Sequence, residues 1–228
     1  MPSQWLSNPD LRHRLLNELV ESTEPMWYLR VRLPAPRPAH SQPRNEALLR
    51  GYQELGKVAA SEGRQVILAT SGLTGWLATS LGAAGFGAGT TPATRTFAEP
   101  TVIPQQPESP WPRRPRYFEP ALLHTVDFAT HELLLRSKDY TPCGCTFCAE
   151  LGAANPKPPP DQWNGELAGL HHLLQLGRLL ARLHTTDPQS TARHQVEQAR
   201  AFHASLPPFP THHDNQPLHL KAWAQLLQ

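Results

Sequence analysis

Cysteine and long apolar runs are both scarce in this sequence of 228 residues. Three cysteines are present, and an odd number leaves one thiol over in any set of disulfides. The first residues do not resemble a signal peptide, and no run of about 18 apolar residues could form a membrane span. The sequence therefore predicts a cytoplasmic protein with reduced thiols.

Common nucleotide-binding and hydrolase motifs are missing as well. The sequence has no Walker loop, no nucleophile elbow and no dinucleotide-binding fingerprint. The net charge of +2 at pH 7 is too small either to require or to exclude a nucleic-acid partner. Function has to be argued from individual clusters of residues.

Proline, in contrast, is abundant, with 25 residues in the chain. Because proline lacks a backbone donor and interrupts helices and sheets, several long connections should be irregular. The longest of these connections covers residues 90–120. A second proline-rich loop follows the cysteines.

The first hundred residues alternate between helical and extended patterns. Leucine spacing and N-capping residues predict three helices, over residues 9–22, 45–61 and 73–81. Short apolar or alternating runs predict three strands, over residues 26–33, 65–70 and 84–89. Such alternation indicates parallel strands with helical crossovers, that is, an α/β fold.

The second half is predicted to be mostly helical. Helices are expected over residues 121–136, 165–184 and 190–206, with a short terminal helix ending in WAQLL. The cysteines lie between the first two of these helices.

The three cysteines fall within the segment YTPCGCTFC, as Cys143, Cys145 and Cys148. Three thiolates so close together can wrap one zinc ion, which is usually completed by a fourth ligand in a tetrahedral site. His171 is the best candidate for that ligand, with His172 beside it and His184 further along. Gly144 between the first two cysteines would let the backbone turn tightly. Ordinary reduced thiols without a metal are the alternative.

The cysteine cluster, its trailing histidine and residues 64–97 resemble the C-terminal part of the tRNA-guanine transglycosylase family. The resemblance implies a partial (β/α) barrel followed by an α-helical zinc-binding module. His171 opens the matching helix LHHLLQLGRLLARL, so the resemblance gives it the role of the zinc-ligating histidine. It also implies three segments: barrel over residues 1–97, a proline-rich connection over 98–120 and the zinc module over 121–228.

The sequence departs from that family at two points. The residue after Phe86, where the family has its nucleophilic aspartate, is Gly87, and glycine cannot form a covalent intermediate. Three strand-helix units are also too few for an eight-stranded barrel. We therefore expect the chain to form a homo-oligomer or to associate with a separate N-terminal half-barrel, unless it is a piece of a longer product.

Two function classes follow from these features. The first is a diverged transglycosylase-like zinc protein that handles nucleic acid, either tRNA or DNA, or a modified base. The alternative is a non-catalytic, zinc-stabilised scaffold or interaction subunit. Gly87 favours the alternative, and a possible phosphate site favours the first.

That phosphate site is predicted at Ser71 and Gly72, where a strand leads into a helix whose free N–H groups could bind an anion. Arg30 and Arg32 share one strand face and could contribute charge. The simpler interpretations are a capping serine and arginines that form ion pairs or lie on an exposed edge.

A second candidate surface for nucleic acid lies in the long proline-rich connection. Arg113, Arg114 and Arg116 alternate there with Trp111 and Tyr117, a mixture of charge and stacking surface. A solvated loop is the simpler interpretation.

Overall fold

The computed structural model describes residues 1–35, 41–91, 97, 115–138, 140–150, 163–206 and 213–228. Its helices are α1 Gln4–Ser7, α2 Pro9–Glu21, α3 Glu46–Ser61, α4 Gly72–Ser80, α5 Phe128–Leu134, α6 Thr146–Glu150, α7 Gly165–Leu183, α8 Pro188–Ser205 and α9 His219–Leu226. Its strands are β1 Met26–Leu29, β2 Gln65–Leu68, β3 Gly85–Phe86, β4 Tyr117–Glu119 and β5 His124–Val126. Most of the predicted connection over residues 98–120, including Trp111, Arg113 and Arg114, lies outside the described residues.

Strands β1, β2 and β3 form a parallel sheet in that order, which confirms the predicted α/β alternation. Trp27 lies opposite Val66, and Leu68 lies opposite Phe86. The strands are shorter than predicted, because regular pairing stops at Leu29 and at Phe86. Within the described residues this sheet is open and no barrel is present, so the partial barrel stays a prediction.

One face of the sheet is covered by helices and the other is exposed. Trp27, Val66 and Leu68 are buried against Leu55 of α3 and Ala78 of α4. On the opposite face the Tyr28 side chain is 71% exposed. Parallel sheets are normally covered on both faces, so this sheet is unusual in presenting one face to solvent.

The helix predicted over residues 121–136 is wrong in its first half. Strands β4 and β5 form an antiparallel hairpin there, and the helix begins after Asp127. The Asp127 side chain accepts a hydrogen bond from the Thr130 N–H, which is a typical N-cap. Leu123 occupies the turn with a positive φ of 48°. Leu122 and Leu123 are both buried in this hairpin, so tertiary packing stabilises it in place of the predicted helix.

The sheet layer and the C-terminal helices share one core. Trp76 of α4 packs among leucines of α7, Val196 of α8 and Trp223 of α9. The Trp76 indole N–H donates to the Leu179 carbonyl of α7 at 3.2 Å. The Trp223 indole N–H donates to the Pro43 carbonyl at 3.0 Å. The C-terminal helices are therefore anchored directly to the layer that carries the sheet.

No helix in the described parts of the chain is both long enough and apolar enough to cross a membrane.

Candidate metal centre

The cysteine loop is positioned by the buried side chain of Tyr140, which opens it. The Tyr140 hydroxyl donates to Glu119 Oε2 at 2.7 Å, and this carboxylate belongs to β4. The loop then passes Cys143 and Cys145 and enters the short helix α6, which carries Cys148. Gly144 is not needed for the turn, because it has no positive φ and an added Cβ would meet no atom within 4 Å.

The fourth member of the cluster comes from helix α7. His171 Nδ1 lies 3.4 Å from Cys145 Sγ and 3.5 Å from Cys148 Sγ. Neighbouring residues on an α-helix point about 100° apart, so His172 faces elsewhere and packs edge-on against Phe118 with ring centroids 4.9 Å apart. The structure thus brings His171, rather than His172, to the cysteines.

The distances within the cluster match a tetrahedral metal site. Ligand atoms of Cys143, Cys145, Cys148 and His171 all lie within 4.8 Å of one another. Zinc bonds of about 2.3 Å to sulfur and 2.0 to 2.1 Å to nitrogen would place adjacent sulfur and nitrogen ligands roughly 3.6 Å apart. The two distances to His171 are close to that value. The four side chains therefore lie close enough together to hold one metal ion.

Neighbouring polar groups already orient these ligands. His171 Nε2 lies 2.9 Å from the Phe118 carbonyl, which can only accept, so Nε2 carries the proton and Nδ1 is left free to bind a metal. The Gln175 side-chain N–H donates to Cys143 Sγ at 3.0 Å. The Tyr117 hydroxyl lies 3.1 Å from Cys148 Sγ, and it would donate to a thiolate there.

The electrostatics of the metal-free cluster also favour metal binding. Burial lowers the pKa of His171, which keeps its imidazole neutral. A hydrogen bond from the Cys148 thiol lowers the pKa of Cys143 to about 5, and the same contact together with burial raises the pKa of Cys148. The lowered pKa of Cys143 favours the thiolate that a metal needs, and binding a metal would release protons from the remaining thiols.

A second buried polar cluster lies behind the cysteines and was not identified from the sequence. Glu119 is 1% exposed; besides Tyr140, its carboxylate accepts from the Ala121 N–H and lies 3.4 Å from His131 Nδ1. The His131 ring stacks on Tyr117 with centroids 3.8 Å apart. All three residues of β4 are buried, and nothing local in the sequence marks its glutamate as buried.

The predicted anion site at Ser71 and Gly72 is occupied by the protein itself. The backbone N–H groups of both residues donate to the Gly87 carbonyl, at 3.0 and 3.2 Å. The Ser71 hydroxyl donates to the Leu68 carbonyl at 2.9 Å and makes no capping bond to the helix. A ligand role for this pair stays a prediction, and these contacts would have to break for it.

The predicted arginine pair is exposed on the open face of the sheet. Arg30 Nε donates to Thr70 Oγ1 at 3.1 Å, and its guanidinium carbon lies 3.9 Å from the centroid of the Phe97 ring. Arg32 pairs through its backbone with Met1 and Ser3 of the N-terminal segment. Arg30 and Arg32 therefore follow β1 on the same exposed side as Tyr28.

The Arg116 side chain forms hydrogen bonds within the protein. Its guanidinium donates to the carbonyls of Thr125 and Asp214 and to the Asn215 side chain, at 2.6 to 2.9 Å. Tyr117 is buried beside the cysteines. The described part of the proposed loop surface thus faces inward.

A small cleft opens at the carboxyl ends of β1 and β2. Its volume is about 240 Å³ including open solvent, and its lining combines aliphatic side chains with Tyr52, Thr70, Ser71 and Thr74. None of the described residues that line it carries a carboxylate. Its enclosed volume is only about 10 Å³, whereas pockets for small molecules usually start at about 300 Å³, so the cleft is too shallow to enclose a nucleobase.

Comparison with known proteins does not place the chain in a family. No family model matches it, and neither a curated protein nor a solved structure shows significant similarity to it.

Proposed function

We propose that this chain is a zinc-stabilised, diverged protein of the tRNA-guanine transglycosylase type, which handles nucleic acid or a modified base without covalent base exchange. The observation that carries the proposal is the convergence of Cys143, Cys145, Cys148 and His171 on one point. The motif C-x-C-x2-C followed by a histidine on the next long helix is the pattern on which the resemblance to that family rests.

Zinc is the metal that best suits these donors. Three thiolates and one neutral imidazole are soft to borderline ligands, and a closed tetrahedral set of this kind is typical of structural zinc. With four protein ligands no coordination position is left for water. The ion would therefore hold β4, the cysteine loop and α7 together and would take no direct part in chemistry.

The lack of base exchange follows from the sheet. Gly87 has no side chain, and the cleft beside it has no carboxylate to attack a sugar carbon. A Cβ added at Gly87 would lie 3.0 Å from the Thr70 backbone nitrogen, so an aspartate at this position would have to displace a neighbour.

The test combines a metal measurement with two assays on the same sample. Elemental analysis should find one zinc per chain, and cobalt substitution should give the spectrum of a tetrahedral thiolate site. The zinc-loaded chain should bind tRNA, yet it should not incorporate labelled guanine. Intact, folded protein without metal would refute the zinc site. Robust guanine incorporation would refute the non-exchange proposal.

The second candidate is a non-catalytic interaction subunit whose open sheet face is covered by protein. The 46% exposed Met26 and the exposed Tyr28 on that face favour it. A second copy of the chain or a separate half-barrel would then cover the sheet. Light scattering on the purified chain tests self-association, and a monodisperse monomer near 25.4 kDa would rule out a second copy as the covering partner.

A further inference from the structure

The exposed face of β1 carries an aromatic ring and a cation in one row. Side chains alternate along the strand, so Trp27 is buried while Met26 and Tyr28 are exposed, and the exposed Arg30 follows on the same side. No residue of β1, β2 or β3 is charged, and the first charge beyond the end of β1 is positive. The face is therefore basic at its carboxyl end.

The Tyr28 side chain is largely exposed on this face. Across the sheet Tyr28 lies opposite Ile67, and Ile67 lies opposite Gly85. A Cβ added at Gly85 would meet no atom within 4 Å. A flat group could therefore lie on the Tyr28 ring without a clash from the neighbouring strands.

Arg30 is fixed in position while part of it is left without a partner. Stacking on Phe97 and the bond from Nε to Thr70 hold the guanidinium. Its two terminal nitrogens make no hydrogen bond within the described parts of the chain. A pre-oriented guanidinium with free N–H groups is suited to a phosphate oxygen.

We propose that this face binds single-stranded nucleic acid, with a base stacked on Tyr28 and a phosphate bound by Arg30. Stacking on an exposed aromatic side chain next to an arginine is how proteins hold unpaired bases. The inference rests on the proposed function and moves the nucleic-acid contact from the helix start at Ser71 to the open face of the sheet.

The experiment measures binding of a fluorescein-labelled, mixed-sequence RNA of about 12 nucleotides to the zinc-loaded full chain by anisotropy. Tyr28→Leu should weaken binding roughly 5- to 150-fold, and Tyr28→Trp should preserve it. Arg30→Gln should reduce the slope of log K against log salt by about 0.7, the share of one phosphate contact. Arg50→Gln is the matched control, because Arg50 is exposed on α3 and pairs with Glu46.

Equal binding of single-stranded DNA of the same sequence supports the inference, since neither contact needs a 2′-hydroxyl. If the chain binds RNA and both Tyr28→Leu and Arg30→Gln bind equally well, the surface is elsewhere while the proposed function stands. If the chain binds no RNA, both proposals fail. If the two substitutions instead disrupt a dimer, the face is a protein interface.

Discussion

The metal centre and the carboxyl edge of the parallel sheet differ in how their polar groups are used. At the metal centre, four donor atoms converge and their neighbours Tyr117, Gln175 and the Phe118 carbonyl orient them. At the sheet edge, the N–H groups of Ser71 and Gly72 and the Ser71 hydroxyl donate to backbone carbonyls of the protein itself. The comparison shows that one region keeps donors for a ligand, whereas the other uses them to hold the backbone together.

Loss of the metal should give the largest effect and affect the first region alone. Cys145→Ser removes a buried ligand, and structural zinc contributes on the order of 10 kcal/mol of apparent binding free energy in small domains. We expect loss of bound zinc, a strongly lowered Tm and increased hydrogen exchange in β4 and α7. Thr146→Ser, at the exposed neighbouring position, is the control. Full zinc content in Cys145→Ser would mean that the ion is held elsewhere.

The sequence predicted the metal centre better than the sheet edge for a physical reason. Cysteine spacing is local, and helix α7, which carries His171, has a clear leucine pattern, so the four side chains that converge could be named in advance. The bonds from Ser71 and Gly72 to Gly87 join residues that follow different strands, and no short pattern records such pairing. The buried Glu119 and the β4–β5 hairpin were missed because both depend on tertiary packing.

Helix α7 also connects the two regions, and a glycine marks the contact. A Cβ added at Gly169 would lie 2.8 Å from Thr90 Cβ and 2.9 Å from the Thr90 carbonyl oxygen, on the segment that follows β3. Gly169→Ala should destabilise the protein by about 1 to 3 kcal/mol, the usual cost of overpacking. Gly177→Ala on the same helix is the control, since its Cβ would meet nothing within 4 Å.

Urea unfolding of both glycine variants measures this difference. Gly177→Ala should stabilise the protein by up to about 1 kcal/mol, because alanine favours helices. Equal effects of the two substitutions would show that α7 does not press on the segment after β3. The two regions would then be linked through α4, whose Trp76 donates to the Leu179 carbonyl of α7.

Low pH should lower the free energy of unfolding through His219, which lies beside the core that the two regions share. This histidine is buried against Trp223, and burial holds its pKa well below the ordinary value. Below pH 6.5, His219 binds a proton in the unfolded chain but not in the folded chain. The free energy of unfolding that is present above that pH therefore declines as the pH falls. The slope should be up to about 1.4 kcal/mol per pH unit.

Unfolding free energies at pH 7.5 and pH 5.5 in the wild type and in His219→Phe isolate this contribution. Loss of zinc at low pH affects both proteins alike, so the difference between their slopes belongs to His219. The substituted protein should show the shallower slope. Identical slopes would show that His219 is protonated in the folded chain too.

The smallest expected effect tests whether the sheet edge is purely structural. Ser71→Ala removes the hydroxyl that donates to the Leu68 carbonyl, but this carbonyl keeps the Gly87 N–H at 2.9 Å. Since no buried acceptor is left without a partner, the loss should be about 0.5 to 1 kcal/mol. Ser61→Ala is the control, because its exposed hydroxyl makes the same kind of bond to the Val58 carbonyl.

Added inorganic phosphate should shift the Tm of the wild type and of Ser71→Ala equally, because the N–H groups of Ser71 and Gly72 are already bonded to Gly87. A phosphate-dependent shift that disappears in Ser71→Ala would show that these bonds open for an anion, and it would remove the contrast between the two regions.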